Sequence, residues 1–159
     1  MTGITILLVA LVAVVAVGLF LKSRNGKVRV TTPAATGAAD SRLELLRAAG
    51  VSSPNGGPVV LHFSADWCGP CAAVRRVVGQ VVISMADAPP RPPVEIELDI
   101  DKEPALAREM SVLSLPTTFI LDGGLEEQFR VSGVPSAADL KAALVPLSGP
   151  HEPKSENSG

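Results

Sequence analysis

Ile4 to Leu21 form an 18-residue run without a charged side chain. Coiled as a helix, such a run is about 27 Å long, close to the thickness of a bilayer core. It is apolar on every side, whereas a buried helix of a globular domain keeps a polar stripe. No Lys or Arg precedes it, and Lys22-Ser23-Arg24 follows without a small-residue cleavage pattern. The run therefore reads as an uncleaved membrane anchor rather than a signal peptide. Beyond it the pattern changes. Thr31 to Ala39 reads as a flexible linker. Asp40 or Ser41 is expected to cap a helix that buries Leu43, Leu45 and Leu46 and stops at Gly50. Val59 to Ser64 reads as a buried strand. Val74, Val77, Val78, Val81 and Val82 then recur at helical spacing after Pro70. Pro89, Pro90, Pro92 and Pro93 exclude helix and central strand. Val94 to Ile100 alternates and predicts a strand. Glu103 to Met110 predicts a helix with Pro104 in its first turn. Thr117 to Leu121, the turn Asp122-Gly123-Gly124, and Glu126 to Val131 predict a hairpin. Asp139 to Leu147 predicts a last helix capped by Ser136, and the polar residues from Ser148 onward a disordered tail.

Strand–helix–strand units imply parallel pairing, and the closing hairpin adds antiparallel strands. The expected fold class is α/β: a mixed central sheet flanked by helices, behind a single N-terminal transmembrane helix. The expected division is 1–22 for the anchor, 23–39 for a basic juxtamembrane segment and linker, 40–147 for the domain, and 148–159 for the tail. With 159 residues the chain has room for one ordinary domain and these extensions.

Charge changes this picture at one place. Lys22, Arg24, Lys27 and Arg29 follow the apolar run, and no acidic residue occurs before Asp40. Basic flanks stay on the cytoplasmic side, so the domain is expected on the cytoplasmic face of the cell membrane, with an extracytoplasmic domain as the alternative. The domain itself is acidic, with 14 carboxylates against 9 basic side chains over 40–147. That argues against a nucleic-acid partner.

Only two cysteines occur, Cys68 and Cys71. A disulfide-stapled secreted scaffold uses more, and a structural zinc site needs further ligands where only His62 and His151 remain. No dinucleotide loop, P-loop or metal constellation is present, so neither cofactor nor metal is expected. Trp67-Cys68-Gly69-Pro70-Cys71 lies between a predicted strand and a predicted helix. A helix start offers unpaired N–H groups and a positive dipole end, which favour a thiolate on Cys68. The thiolate is the nucleophile of disulfide exchange, and Cys71 can resolve the mixed disulfide. Gly69 and Pro70 keep the turn tight, and Pro70 starts a helix without needing an N–H partner.

The segments Phe63 to Cys71, Leu115 to Phe119 and Val131 to Gly133 together resemble the thioredoxin family, in order and spacing, across Val59 to Leu147. The resemblance implies a thioredoxin fold and a protein-disulfide reductase. Cys68 would attack and Cys71 resolve. Pro116 would be a cis-proline facing the disulfide. It would free the Leu115 backbone to pair with an extended substrate. Trp67, Gly69, Pro70, Leu115, Thr117 and Gly133 would form the substrate contact. Two positions depart from the family. His62 stands where the family has a buried acid that assists proton transfer near the second cysteine, and Glu97 stands where a lysine commonly faces it. A charge-reversed His62–Glu97 pair is expected, with His62 either moving the proton of Cys71 or holding a strand-to-strand hydrogen bond. Ala72 replaces a common basic residue, and Arg75 and Arg76 would keep the site positive. Glu95, Glu97, Asp99 and Asp101 read as a solvated strand face, with Asp101 capping the next helix.

The expected partners are protein disulfides, a protein or small-thiol electron donor, and the lipid bilayer through residues 4–21. The Gly-Pro dipeptide between the cysteines resembles the reducing members of the family. Two alternatives stand beside this reading: an extracytoplasmic exchange protein of envelope or cytochrome maturation, and a non-catalytic binding module.

Overall fold

The computed structural model describes residues 2–24, 29–30, 36–87 and 90–149. Most of the linker reading over 31–39, the tail from Pro150 onward, and Ala88-Pro89 lie outside the described residues, while Ser148, read as the first residue of the disordered tail, is instead fully buried at the end of a helix. Helix α1 spans Thr2–Arg24. Residues 6–18 of it stand exposed, with Ile6, Leu7, Val9, Val12 and Val14 each more than 60% accessible. Among the described residues no helix is long and apolar enough to cross a membrane. The span read over 4–21 is therefore not established by the fold.

Strand β1, Arg29–Val30, follows, then α2 over Thr36–Ala48. Both correct the sequence reading. Two residues carry no periodicity, so β1 leaves no pattern to find. Asp40 and Ser41 lie inside α2, not at its start, because the helix begins at Thr36, four residues before Asp40, and runs through Ala38 and Ala39. Its end is as read. Gly50 takes φ +80°, its N–H donates to the Arg47 carbonyl, and the Val51 N–H reaches back to Leu46. That is a left-handed closure which only glycine adopts without strain.

The remaining elements are β2 (Val59–Ser64), α3 (Cys71–Ser84), β3 (Val94–Asp99), α4 (Pro104–Glu109), β4 (Thr117–Leu121), β5 (Glu127–Ser132) and α5 (Ala137–Ser148). They form one mixed sheet ordered β1-β5-β4-β2-β3. Only β2 and β3 pair in parallel, and the other neighbours are antiparallel. The hairpin strand begins one residue later than read, because the register shifts at Ile120/Leu121 and Leu125 turns through φ +67°. Asp122 closes this turn by accepting from the N–H groups of Gly124 and Glu126. Ser136 caps α5 as expected, accepting from the Asp139 N–H.

The period of two along each strand splits the core into two layers. Leu61, Phe63 and Phe119 pack with Leu46 of α2 and Leu106 of α4 on one face. Val60 and Ile120 pack with Val74 and Val78 of α3 and Leu140 and Leu144 of α5 on the other. Strand β2 is buried at every position, His62 and Ser64 included.

The alternation of β3 sends Val94, Ile96 and Leu98 to the α2–α4 layer. Glu95, Glu97 and Asp99 therefore lie on the α3 side; Glu97 is exposed and Glu95 and Asp99 half-buried, so the solvated face expected is partly covered. A side chain at Gly79 of α3 would begin 3.6 Å from a carboxylate oxygen of Glu95. Asp101 does not cap α4 either. Glu103 holds the cap position, without a side-chain bond.

Topology brings three loops to one end of the sheet. Strand β2 runs toward it, β4 starts from it, and β5 returns to it. Residues 65–70, 111–116 and 133–136 meet there.

Candidate functional site

At that end Cys68 and Cys71 form a disulfide, with Cα atoms 5.5 Å apart. The turn is held by two backbone bonds, from the Cys68 N–H to the Ala65 carbonyl and from the Cys71 N–H to the Cys68 carbonyl. Pro70 takes φ −65° and ψ −18°, its natural ring geometry, so α3 starts at Cys71 without a side-chain cap. Cys71 is buried and Cys68 half-exposed. An incoming group therefore meets Cys68 first. The positive end of the α3 dipole favours negative charge on sulfur here.

The Leu115–Pro116 peptide is cis. Pro116 is buried, Leu115 half-buried, and the Thr117 hydroxyl donates to the Ser114 carbonyl. The Gly133 N–H donates to the Pro116 carbonyl at 2.8 Å, and Gly133 takes φ +89°, a conformation that asks for glycine. Pro116, Thr117 and Gly133 are thus joined by backbone, although the sequence separates them. Gly69 and Pro70 are exposed beside the disulfide. Trp67 is 71% exposed, and its indole N–H donates to the Asp101 carboxylate at 3.2 Å. Asp101 was missed as a site residue, because its link to Trp67 exists only where β2 and β3 end side by side.

His62 is fully buried on the face toward α3. It stands opposite Glu97 in the strand register, as expected, but does not bond to it. Its Nε2 lies 2.9 Å from Glu95 Oε1. Glu97 is held instead by Arg75 of α3, whose Nε donates to both carboxylate oxygens at 2.7–2.8 Å. A guanidinium one helix turn into α3 competes better for Glu97 than a buried imidazole does. The expected His62–Glu97 pair is thereby corrected to His62–Glu95. The expected positive contribution of Arg75 is corrected as well, since Glu97 neutralises it.

The Nδ1 atom of His62 is buried without a hydrogen-bond partner, and so is Oγ1 of Thr118, its register partner on β4. Val60 packs against Val74 and Val78. His62 lies two residues further along the same strand face, about 7 Å nearer the disulfide. Cys71 precedes Val74 by one turn of α3. The two buried groups therefore share the layer beneath the start of that helix.

The Arg75 bond holds the Glu97 carboxyl down at about 2, with Ser64 and His62 assisting against partial burial. Because the folded value lies below the ordinary 4.5, this group adds stability that is complete above pH 4.5 and lost as pH falls through about 2. Glu97→Gln is expected to flatten the loss of stability across that window, read as the urea midpoint against pH. Equal slopes for both proteins would assign the acid sensitivity to other carboxylates.

A thioredoxin family model matches residues 49–145. A thioredoxin of Mycolicibacterium smegmatis is 34% identical over 87 residues, which cover 55% of this chain and 75% of that protein. A thioredoxin of Streptomyces clavuligerus is 33% identical over 96 residues, 56% of this chain and 78% of that one. Among solved structures, a mutant thioredoxin of Halobacterium salinarum superposes with a TM-score of 0.52 at 27% identity, covering 67% of this chain and 86% of its own.

Proposed function

The chain belongs to the thioredoxin family and is a thiol–disulfide oxidoreductase, and from that premise we propose that it reduces protein disulfides while tethered to a membrane. The observation that carries the chemistry is the Cys68–Cys71 pair at the start of α3, with cis-Pro116 at the same end of the sheet. In the reduced state the Cys68 thiolate attacks one sulfur of a partner disulfide. That S–S bond breaks, a mixed disulfide forms, and one partner thiolate leaves. Cys71 then gives up its proton and attacks the Cys68 sulfur. The second partner thiolate leaves, and the Cys68–Cys71 disulfide remains. Two electrons pass to the partner, whose sulfurs take up two protons. A dithiol donor, protein or small molecule, returns the pair to the reduced state.

The leaving partner strand needs a surface. Leu115 offers its backbone beside Pro116, and Trp67, Gly69, Pro70, Thr117 and Gly133 surround the disulfide. The test is precipitation of insulin in the presence of dithiothreitol. Catalysis by the full chain in detergent, with no bilayer beside the disulfide end, supports the reductase reading, and none there would favour the binding-module alternative.

His62 is the proposed acceptor of the Cys71 proton. Glu95 accepts from Nε2–H, which leaves a bare, buried Nδ1 lone pair facing the protein interior. His62→Gln is expected to slow turnover and to change its pH dependence, because the group that takes up the Cys71 proton is lost. An unchanged rate–pH profile would reduce His62 to a strand-to-strand tie.

Membrane tethering is supported by the uncharged run over 4–21 and by the exposed apolar side chains of α1. The basic residues Lys22, Arg24, Lys27 and Arg29 support a domain on the cytoplasmic face. Labelling of Cys68 and Cys71 by an impermeant maleimide, after an impermeant phosphine, is expected only in lysed cells. Labelling in intact cells would move the domain outside.

A further inference from the structure

The register of β1 fixes the end of the sheet from which the chain arrives. Arg29 pairs with Arg130 and Val30 with Phe129, so β1 runs opposite to β5. Strand β5 ends at Ser132, beside Gly133 and Pro116. The chain therefore enters the sheet at Arg29 coming from the end that carries Cys68 and Cys71, and heads away from it.

The lead is short. From Leu21, the last residue of the uncharged run, three helical residues and five further links reach Arg29, about 22 Å in all. Arg29 stands level with Arg130, three residues or roughly 10 Å short of Gly133. Granting the membrane tether proposed above, on which this inference rests, the disulfide end of the domain lies within roughly 10–20 Å of the headgroups. A folded domain of about 100 residues is roughly 30 Å across and does not fit in that gap.

The surface chemistry agrees. Outside α1, the exposed large apolar side chains among the described residues are Trp67, Ile83, Leu113, Val134 and Val145. Trp67, Leu113 and Val134 all stand on the disulfide end, and Leu113 is 93% exposed. A half-polar aromatic and bare aliphatic groups suit the edge of a bilayer and the flank of an embedded protein.

We infer that the Cys68–Cys71 end faces the bilayer, and that the disulfide it reduces belongs to a membrane protein, exposed just outside the headgroups. Soluble folded proteins are poor substrates of the tethered chain.

The full chain in vesicles with dansyl-labelled headgroups tests the orientation through Trp67, the single tryptophan. Energy transfer from Trp67 is expected to be several-fold greater than from a tryptophan at the opposite end, in Trp67→Phe/Glu126→Trp. Equal or greater transfer from position 126 overturns the inference. The partner class is tested by inserting about 20 Gly/Ser residues after Arg24, which releases the domain from the surface. The insertion is expected to speed insulin reduction several-fold in vesicles while leaving reduction of a small aromatic disulfide unchanged. Equal insulin rates overturn the membrane-protein partner. A chain that does not float with the vesicles overturns the tether, and this inference with it. A chain that floats but shows reversed transfer overturns the orientation alone.

Discussion

Cys68→Ser is expected to reduce protein-disulfide turnover to the uncatalysed background, while Cys71→Ser stops turnover and accumulates a mixed disulfide. The difference follows from exposure. Cys68 is the half-exposed sulfur ahead of α3 and is the one an incoming disulfide can reach. Serine there has no comparable nucleophile, because a hydroxyl holds its proton far above neutral pH. Cys71 is buried and meets only the Cys68 sulfur. Without it the first exchange still occurs, but the covalent complex has no internal thiol to resolve it. Non-reducing electrophoresis with a defined peptide disulfide distinguishes the two. A mixed disulfide that accumulates in Cys68→Ser instead would reverse the roles.

Phe119→Ala is expected to destabilise the domain by about 4 kcal/mol, in the usual range for deleting a buried aromatic ring. Phe119 is fully buried at the centre of the sheet. Its ring meets Phe63 edge-on at 6.0 Å, and the Arg130 guanidinium lies 4.6 Å above it. Truncation removes both contacts and opens a cavity between the sheet at β4 and the α2–α4 layer. It leaves Arg130 with its bonds to the buried Glu127, so the loss concerns packing more than charge. For a domain of this size the melting temperature would fall by roughly 20 °C. Phe119→Leu keeps most of the volume, and a loss near that of alanine would show that ring contacts rather than volume dominate. The disulfide and cis-Pro116 lie at the end of the sheet, so activity per folded molecule at low temperature would change little.

Much of this was legible in the chain. The strand pattern at 59–64 and 117–121, the valines of α3, and Ser136 as a cap each rest on short-range rules that hold wherever the segment sits. Cys68, Gly69, Pro70 and Cys71 announce their chemistry by spacing and by position ahead of a helix. The misreadings share one cause. Strand β1 is too short to carry a period, and its place depends on β5, a hundred residues later. Asp40 and Ser41 are good caps locally, but the helix begins at Thr36, four residues before Asp40, and overrides both. Glu95, Glu97 and Asp101 look alike in sequence, and each finds a different partner in space.

The sequence by itself determined the order of elements from α2 onward, a mixed sheet flanked by helices and the nature of the reactive pair. Periodicity, turn chemistry and cysteine spacing are properties of neighbours along the chain. Only the tertiary structure decided that His62 pairs with Glu95 rather than Glu97, and that Arg75 neutralises Glu97. It also decided that Gly133 holds Pro116 and that the chain enters the sheet from the disulfide end. Each of these is a meeting of residues far apart in sequence, set by strand register and helix placement, and no local pattern encodes it.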